Sequence, residues 1–163
     1  MDVSTFYGFF SATCFTLVGL WWNVVQRNPH WLADPGTRRL VGGVYLSFFL
    51  PALMGLFGQV SGPTTAWVWR VGFIVVGVVG CASTVRLLNA TRAERDGRRV
   101  QGFQTVAIVL YAVIAVVGAL PLNDQPLGLA AIQVEAILLI LLIVVAHGLV
   151  WRFMTEAESV GPG

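Results

Sequence analysis

The fold is decided by residues 128–153, which read GLAAIQVEAILLILLIVVAHGLVWRF. Between Ala136 and Ala146 there is no polar side chain, and a helix of about 20 mostly apolar residues is long enough to cross a bilayer. One carboxylate, Glu135, nevertheless lies inside this stretch. An acidic side chain at membrane depth costs about 2.5–3.5 kcal/mol, so we expect Glu135 to face protein or water and not lipid. The rest of the chain must provide that shelter.

The composition places the whole chain in the membrane class. Its 163 residues are 56% hydrophobic and only 11% charged, whereas soluble domains carry about 25% charged residues, and the mean hydropathy is +0.77. All ten basic residues are arginine, which excludes a lysine Schiff base with retinal or pyridoxal phosphate and excludes a P-loop lysine. We expect a multi-pass protein of a cell membrane, namely the plasma membrane of a bacterium.

Five apolar runs predict an all-α bundle of five transmembrane helices, which together form a single domain over residues 1–163. The predicted spans cover residues 5–25, 40–60, 66–88, 103–122 and 127–150. The connections alternate in character: residues 26–39 and 89–100 are polar or charged, whereas residues 61–65 and 123–126 form short turns.

The distribution of arginine predicts the orientation. The first and third connections and the C-terminal tail contain eight of the ten arginines, namely Arg27, Arg38, Arg39, Arg92, Arg95, Arg98, Arg99 and Arg152. By the positive-inside rule these segments are cytoplasmic, so the N-terminus is outside and the C-terminus inside. Aromatic residues near the span ends are interpreted as interfacial belts: Phe6, Tyr7, Trp67 and Trp69 outside, and Trp21, Trp22 and Trp151 inside.

The second span carries a stripe of small and polar residues at every fourth position, namely Gly43, Ser47, Pro51, Gly55 and Gln59. Pro51 has no N–H to donate to the carbonyl of Ser47, so the helix is expected to bend there. One interpretation is a polar lining for a pore or ligand, to which the freed carbonyl contributes. The other is close packing between helices through small side chains. The sequence leaves both open.

Arg70 and Glu135 are charged residues of opposite sign that lie inside the predicted spans. From the outer ends of their helices, Arg70 lies about 6 Å deep and Glu135 about 12 Å deep, at 1.5 Å per residue. Pairing would relieve two desolvated charges, with Gln133 completing the hydrogen bonds. In the alternative, Arg70 extends outward to the interface, and Glu135 is protonated or bonds only to polar groups on the first and second spans. In either case Glu135 is the strongest functional candidate, because ionisable groups inside membranes often mark ion or proton paths.

The third connection offers a second candidate site. Its arginines are Arg92, Arg95, Arg98 and Arg99. Such a cluster beside a span can bind anionic lipid headgroups, although its role in setting the topology already accounts for it.

No feature of the chain points to an enzyme, a cofactor, a metal or a nucleic-acid partner. Cys14 and Cys81 lie in different spans without a CxxC motif or metal-ligand spacing, so we expect them to be small apolar fillers. No metal-ligand cluster and no nucleophile–base pair at workable spacing is found.

These features favour a small transport protein, a channel or ion pathway, that completes its site by homo-oligomerisation. Ser47, Pro51 and Gln59 would line the path, and Glu135 with Arg70 would form its charged gate. The alternative is a non-catalytic accessory or scaffold subunit that packs against a larger membrane complex. In that case the small-residue faces and Glu135 serve contacts with the partner protein.

Overall fold

The computed structural model describes residues 2–61, 65–92, 98–120 and 129–159, without the side chains of residues 91–92, 98–100 and 156–159. These ranges contain six helices and no strand. The helices are α1 (Val3–Arg27), α2 (His30–Ala33), α3 (Pro35–Val60), α4 (Ala66–Arg92), α5 (Arg98–Ala119) and α6 (Ala131–Ser159). All but the short α2 are long and apolar enough to cross a membrane, which confirms the predicted all-α bundle of five spans.

The helix ends differ from the predicted ones by up to nine residues, for local reasons. Helix α5 ends at Ala119 and not at residue 122, because Pro121 disfavours helical geometry in the residue before it. Helix α6 continues from the predicted end at residue 150 to Ser159, since helix formation does not stop where the apolar run stops. The two short predicted turns lie largely outside the described residues, as 62–64 and 121–128 are not described.

The first connection contains the short helix α2, which the sequence did not predict, and then a well-formed helix start. Asp34 is the N-cap of α3, and its Oδ2 accepts a hydrogen bond from the backbone N–H of Thr37 at 2.7 Å. Pro35 occupies the first helical position, where its missing N–H costs nothing. The hydrogen bond from Thr37 holds the pKa of the Asp34 carboxyl below its ordinary value.

Helices α3, α4, α5 and α6 form a ring in which each contacts its two neighbours, and α1 packs outside this ring against α3. Because successive spans run in opposite directions, the ends of α1 and α6 and the start of α3 meet at one end of the bundle. We call this the arginine-rich end, after Arg27, Arg38, Arg39 and Arg152. Its apolar core includes Trp21, Val41 and Phe153. The core of the opposite end includes Tyr7, Phe73 and Leu139.

Glycines let the helices approach closely. A Cβ on Gly58 of α3 would lie 2.7 Å from Cδ1 of the Tyr7 ring on α1, and one on Gly80 of α4 would lie 2.6 Å from the ring of Tyr111 on α5. Gly55 faces Ser11 of α1 in the same way. These small-residue faces therefore serve packing within one chain.

The interpretation of the aromatic residues as interfacial belts is only partly correct. Trp22, Trp67 and Trp151 are exposed on the helix surface, as an interfacial position requires. Of the other four members, Tyr7, Trp21 and Trp69 are buried in the protein core, and Phe6 is half-buried against it. An aromatic ring near a span end packs equally well against a neighbouring helix, and position along the span does not distinguish the two roles.

Candidate functional site

Glu135 belongs to the stripe of α6 that faces the interior of the bundle. The buried side chains of this helix recur at helical spacing, and they are Glu135, Leu139, Leu142, Ala146 and Phe153. The carboxyl group is completely buried, with 0% of the side chain exposed. Glu135 is therefore kept away from lipid, as the sequence analysis expected, and it is covered by protein.

Neither oxygen of Glu135 has a hydrogen-bond partner in the part of the chain that the structure describes. One turn earlier on α6, the carbonyl of Ile132 accepts a hydrogen bond from the Tyr7 hydroxyl at 2.7 Å. Tyr7 thus fixes α1 beside the acid without donating to it. A charge buried in this way carries a penalty of several kcal/mol, which binding of a proton or a cation removes.

The predicted ion pair between Arg70 and Glu135 is not formed. The Nη1 atom of Arg70 donates to the carbonyls of Leu120 at 2.7 Å and Gly118 at 3.3 Å, and its guanidinium lies 5.0 Å from the ring centroid of Trp69. These carbonyls belong to the C-terminal end of α5, where acceptors lack partners within the helix and a positive charge is favoured. Arg70 therefore stabilises a helix end and does not neutralise the buried acid.

Gln133 does not contact Glu135 either. Its side chain is exposed, and its Oε1 accepts a hydrogen bond from the backbone N–H of Ala130 at 2.9 Å. This is the backward bond by which a residue in the first helical turn caps the helix start. Two residues rotate a helix by about 200°, so Gln133 and Glu135 point in nearly opposite directions.

The three residues of α3 that were predicted to line a path lie in three different environments. Ser47 lines a cavity, Pro51 is buried in the helix contacts, and Gln59 is exposed and lies against Gly8 of α1. A step of four residues overshoots one turn, so Gln59 is rotated by about 120° from Ser47. The three residues do not form one lining.

The ring of four helices encloses a cavity of about 650 Å³ in its arginine-rich half. All four helices contribute to its walls, and the lining includes Arg39, Ser47, Leu50, Ser83, Thr84, Arg86, Gln104, Ala107, Tyr111, Leu142 and Leu149. Gln104 is 2% exposed. The sequence did not predict the cavity, or Arg86 and Gln104 as residues of its lining. The lining residues come from four separate helices at irregular spacing.

An apolar layer separates the cavity from Glu135. Leu142 lines the closed end of the cavity, and Glu135 lies seven residues earlier on α6, about 10 Å further along the helix. Between them lies the core that contains Leu139, Met54 and Ile114. The described residues therefore form a deep cavity on one side, a closed layer, and a buried acid beyond it.

The remaining predictions about the site are not tested. Arg95 lies outside the described residues, as do the side chains of Arg92, Arg98 and Arg99, so the proposed lipid contact stays a prediction. Within the described ranges, no three histidine, cysteine, aspartate or glutamate side chains come together to hold a metal ion.

No protein-family model, curated protein or solved structure matches the chain.

Proposed function

We propose that the protein is a small membrane transport protein in which Glu135 binds and releases the transported proton. The observation that carries this proposal is the completely buried carboxyl group whose oxygens have no hydrogen-bond partner among the described residues. Retaining an acid at this depth costs stability, and an apolar residue of similar size would pack there without that cost. Ionisable groups in membrane interiors commonly serve ion or proton movement.

A proton suits this site better than a metal cation. Hard cations are held by several oxygen ligands at once, whereas Glu135 is not part of any group of three histidine, cysteine, aspartate or glutamate side chains among the described residues. A proton needs only the carboxyl group itself. The cavity extends from the arginine-rich end to Leu142, which is about 10 Å from the acid along α6. A transport cycle then requires the layer around Leu139 and Met54 to open and close.

The cavity and the buried acid are both built within one chain, so proton transport in this form does not require a second copy. The proposal assigns the protein no catalytic activity and no cofactor. It differs from the open channel that the stripe on α3 suggested, since the layer around Leu139 closes the path between the described residues of the cavity and Glu135.

The test is proton flux in liposomes that contain the purified protein and a pH-sensitive dye, with a potassium gradient and valinomycin as the driving force. The wild-type protein should move protons faster than protein-free liposomes leak. Glu135→Gln keeps the shape of the side chain and removes its acidity, and it should reduce the flux to the level of protein-free liposomes. Glu135→Asp should retain part of it.

The matched control is Asp34→Asn, which removes the same charge outside the spans. Asparagine is as good an N-cap residue as aspartate, so this variant should transport like the wild type. Wild-type protein that moves no protons contradicts the proposal, as does flux that persists in Glu135→Gln. Inactive protein that co-purifies stoichiometrically with another membrane protein from native membranes favours the accessory-subunit alternative.

A further inference from the structure

The cavity has two chemically different ends. Arg39 and Arg86 are exposed side chains at its rim, whereas Leu50 and Leu142 line the closed end. Leu50 lies eleven residues after Arg39 on α3, which is about 16 Å at 1.5 Å per residue. A ligand in this cavity therefore meets positive charge at one end and hydrocarbon at the other.

The rim is suited to an anion. Three acidic side chains are described: Asp2 lies at the opposite end of the bundle, Asp34 accepts its hydrogen bond from Thr37, and Glu135 lies beyond the closed end of the cavity. The planar guanidinium group of arginine matches the geometry of carboxylate and phosphate oxygens and binds them through charge-assisted hydrogen bonds. Arg39 belongs to α3 and Arg86 to α4, and both line the same cavity.

Two hydroxyl groups in the middle of the cavity wall keep their hydrogen bonds when an apolar chain lies against them. The hydroxyl of Ser47 donates to the carbonyl of Val44 at 2.7 Å, and that of Thr84 donates to the carbonyl of Gly80 at 2.7 Å. Because these donors are already bonded within their own helices, a hydrocarbon chain beside them leaves the hydroxyls of Ser47 and Thr84 satisfied. Leu46 and Ala107 add apolar surface at the same level.

We propose that this cavity binds a single-chain amphiphile, with its carboxylate or phosphate headgroup at Arg39 and Arg86 and its chain extended towards Leu50 and Leu142. The volume of about 650 Å³ lies within the 300–1,000 Å³ that is typical of small-ligand sites. The exposed arginines place the headgroup at the surface of the bundle. This site is separate from Glu135 and does not depend on proton transport.

The first experiment locates the bound probe. The protein in nanodiscs of phosphatidylcholine is irradiated with dodecanoic acid that carries a diazirine at the end of its chain, and the labelled peptides are sequenced by mass spectrometry. The label should saturate and should map to the closed end of the cavity, near Leu50, Tyr111 and Leu142. Label spread over exposed residues such as Val75 and Val144 would overturn the proposal.

The second experiment tests the headgroup contact with charge-matched pairs of variants. Arg39→Gln combined with Arg86→Gln should weaken binding of the probe by at least about tenfold, since two charge-assisted contacts are lost. Arg27→Gln combined with Arg38→Gln removes the same charge from exposed positions at the same end, outside the cavity. This control pair should bind like the wild type. Equal affinities for the two pairs would overturn the proposal.

The third experiment identifies the ligand class by competition. Dodecanoate or dodecyl phosphate should displace the probe, whereas dodecanol should be at least about tenfold weaker because it lacks the charge. Displacement by inorganic phosphate at similar concentrations would show a small-anion site, and equal displacement by two-chain phosphatidic acid would show a membrane-lipid site. Either result overturns the assignment.

Two further variants separate this proposal from others. Ala107→Phe fills the cavity and should abolish saturable labelling while the helical circular dichroism is retained. Glu135→Gln should bind the probe like the wild type, because its carboxyl group lies about 10 Å beyond Leu142. A protein that moves no protons but binds the probe at Arg39 and Arg86 would contradict only the proposed transport function.

Discussion

The Tyr7 hydroxyl holds the first membrane helix against the last one, at the turn of α6 that precedes Glu135. Its acceptor, the carbonyl of Ile132, also lies within the hydrogen-bonding pattern of α6, so the hydroxyl adds a second bond to that oxygen. The ring packs edge-on against Phe73 at 6.0 Å between centroids and against the face of Gly58. Tyr7 therefore combines core packing with an interhelical hydrogen bond beside the acid.

Tyr7→Phe should lower stability modestly, because it keeps the ring and removes only this bond. Hydrogen bonds between membrane helices contribute about 0.6 kcal/mol on average and up to about 1.7 kcal/mol. The measurement is the unfolding midpoint of the purified protein in detergent. Tyr45→Phe is the control, since it removes a hydroxyl from a half-buried ring that is stacked on Phe49. An unchanged midpoint for Tyr7→Phe would contradict the structural role of the bond.

At the same scale, the sequence predicts some positions of the site and not others. The burial of Glu135 follows from the cost of exposing an acid to lipid, and the separation of Gln133 from it follows from the rotation of about 200° between them. The partners of Arg70 cannot be derived in this way. They are backbone carbonyls at the end of α5, and no side-chain pattern in the sequence marks where a helix end will meet a neighbouring arginine.

At the scale of the helices, stripes of small residues determine which helices approach each other. A small side chain can line a space or allow close contact, and the sequence pattern is the same in both cases. On α3 the two outcomes occur on one stripe, since Ser47 faces the cavity and Gly55 faces Ser11 of α1. Only the position of the neighbouring helix decides between them, and this position depends on the packing of the whole bundle.

Gly58→Ala should destabilise the contact between α1 and α3 by about 1–3 kcal/mol, as overpacking of a close contact usually does. The added Cβ would lie 2.7 to 3.0 Å from three atoms of the Tyr7 ring, which is itself fixed in the core. The matched control is Gly19→Ala on α1, where a Cβ meets no atom within 4 Å in the described structure. It should be neutral or slightly stabilising, since alanine favours the helix. Unfolding midpoints of the two variants that do not differ would contradict this packing.

For the whole molecule, composition and apolar length are enough to predict a membrane bundle of five helices. The cavity is a property of the assembled ring and cannot be read from any one helix. Small residues such as Gly42 and Ala107 contribute to its walls, and a Cβ added at Gly42 would meet no atom within 4 Å in the described structure. The positive charge at the cavity also depends on folding. Arg39 and Arg86 are separated by 47 positions in the sequence, and they line the same cavity only in the folded chain.

The orientation of the bundle stays a prediction, and it decides to which side the cavity opens. If the arginine-rich end is cytoplasmic, an amphiphile enters the cavity from the inner leaflet and Glu135 lies closer to the outside. The test uses a protein in which Cys14 and Cys81 are replaced by alanine and a single cysteine is introduced. In intact bacterial cells, an impermeant maleimide should label Asp2→Cys but should label Arg38→Cys only after the membrane is broken. The reverse pattern would place the cavity on the outer side and Glu135 closer to the cytoplasm.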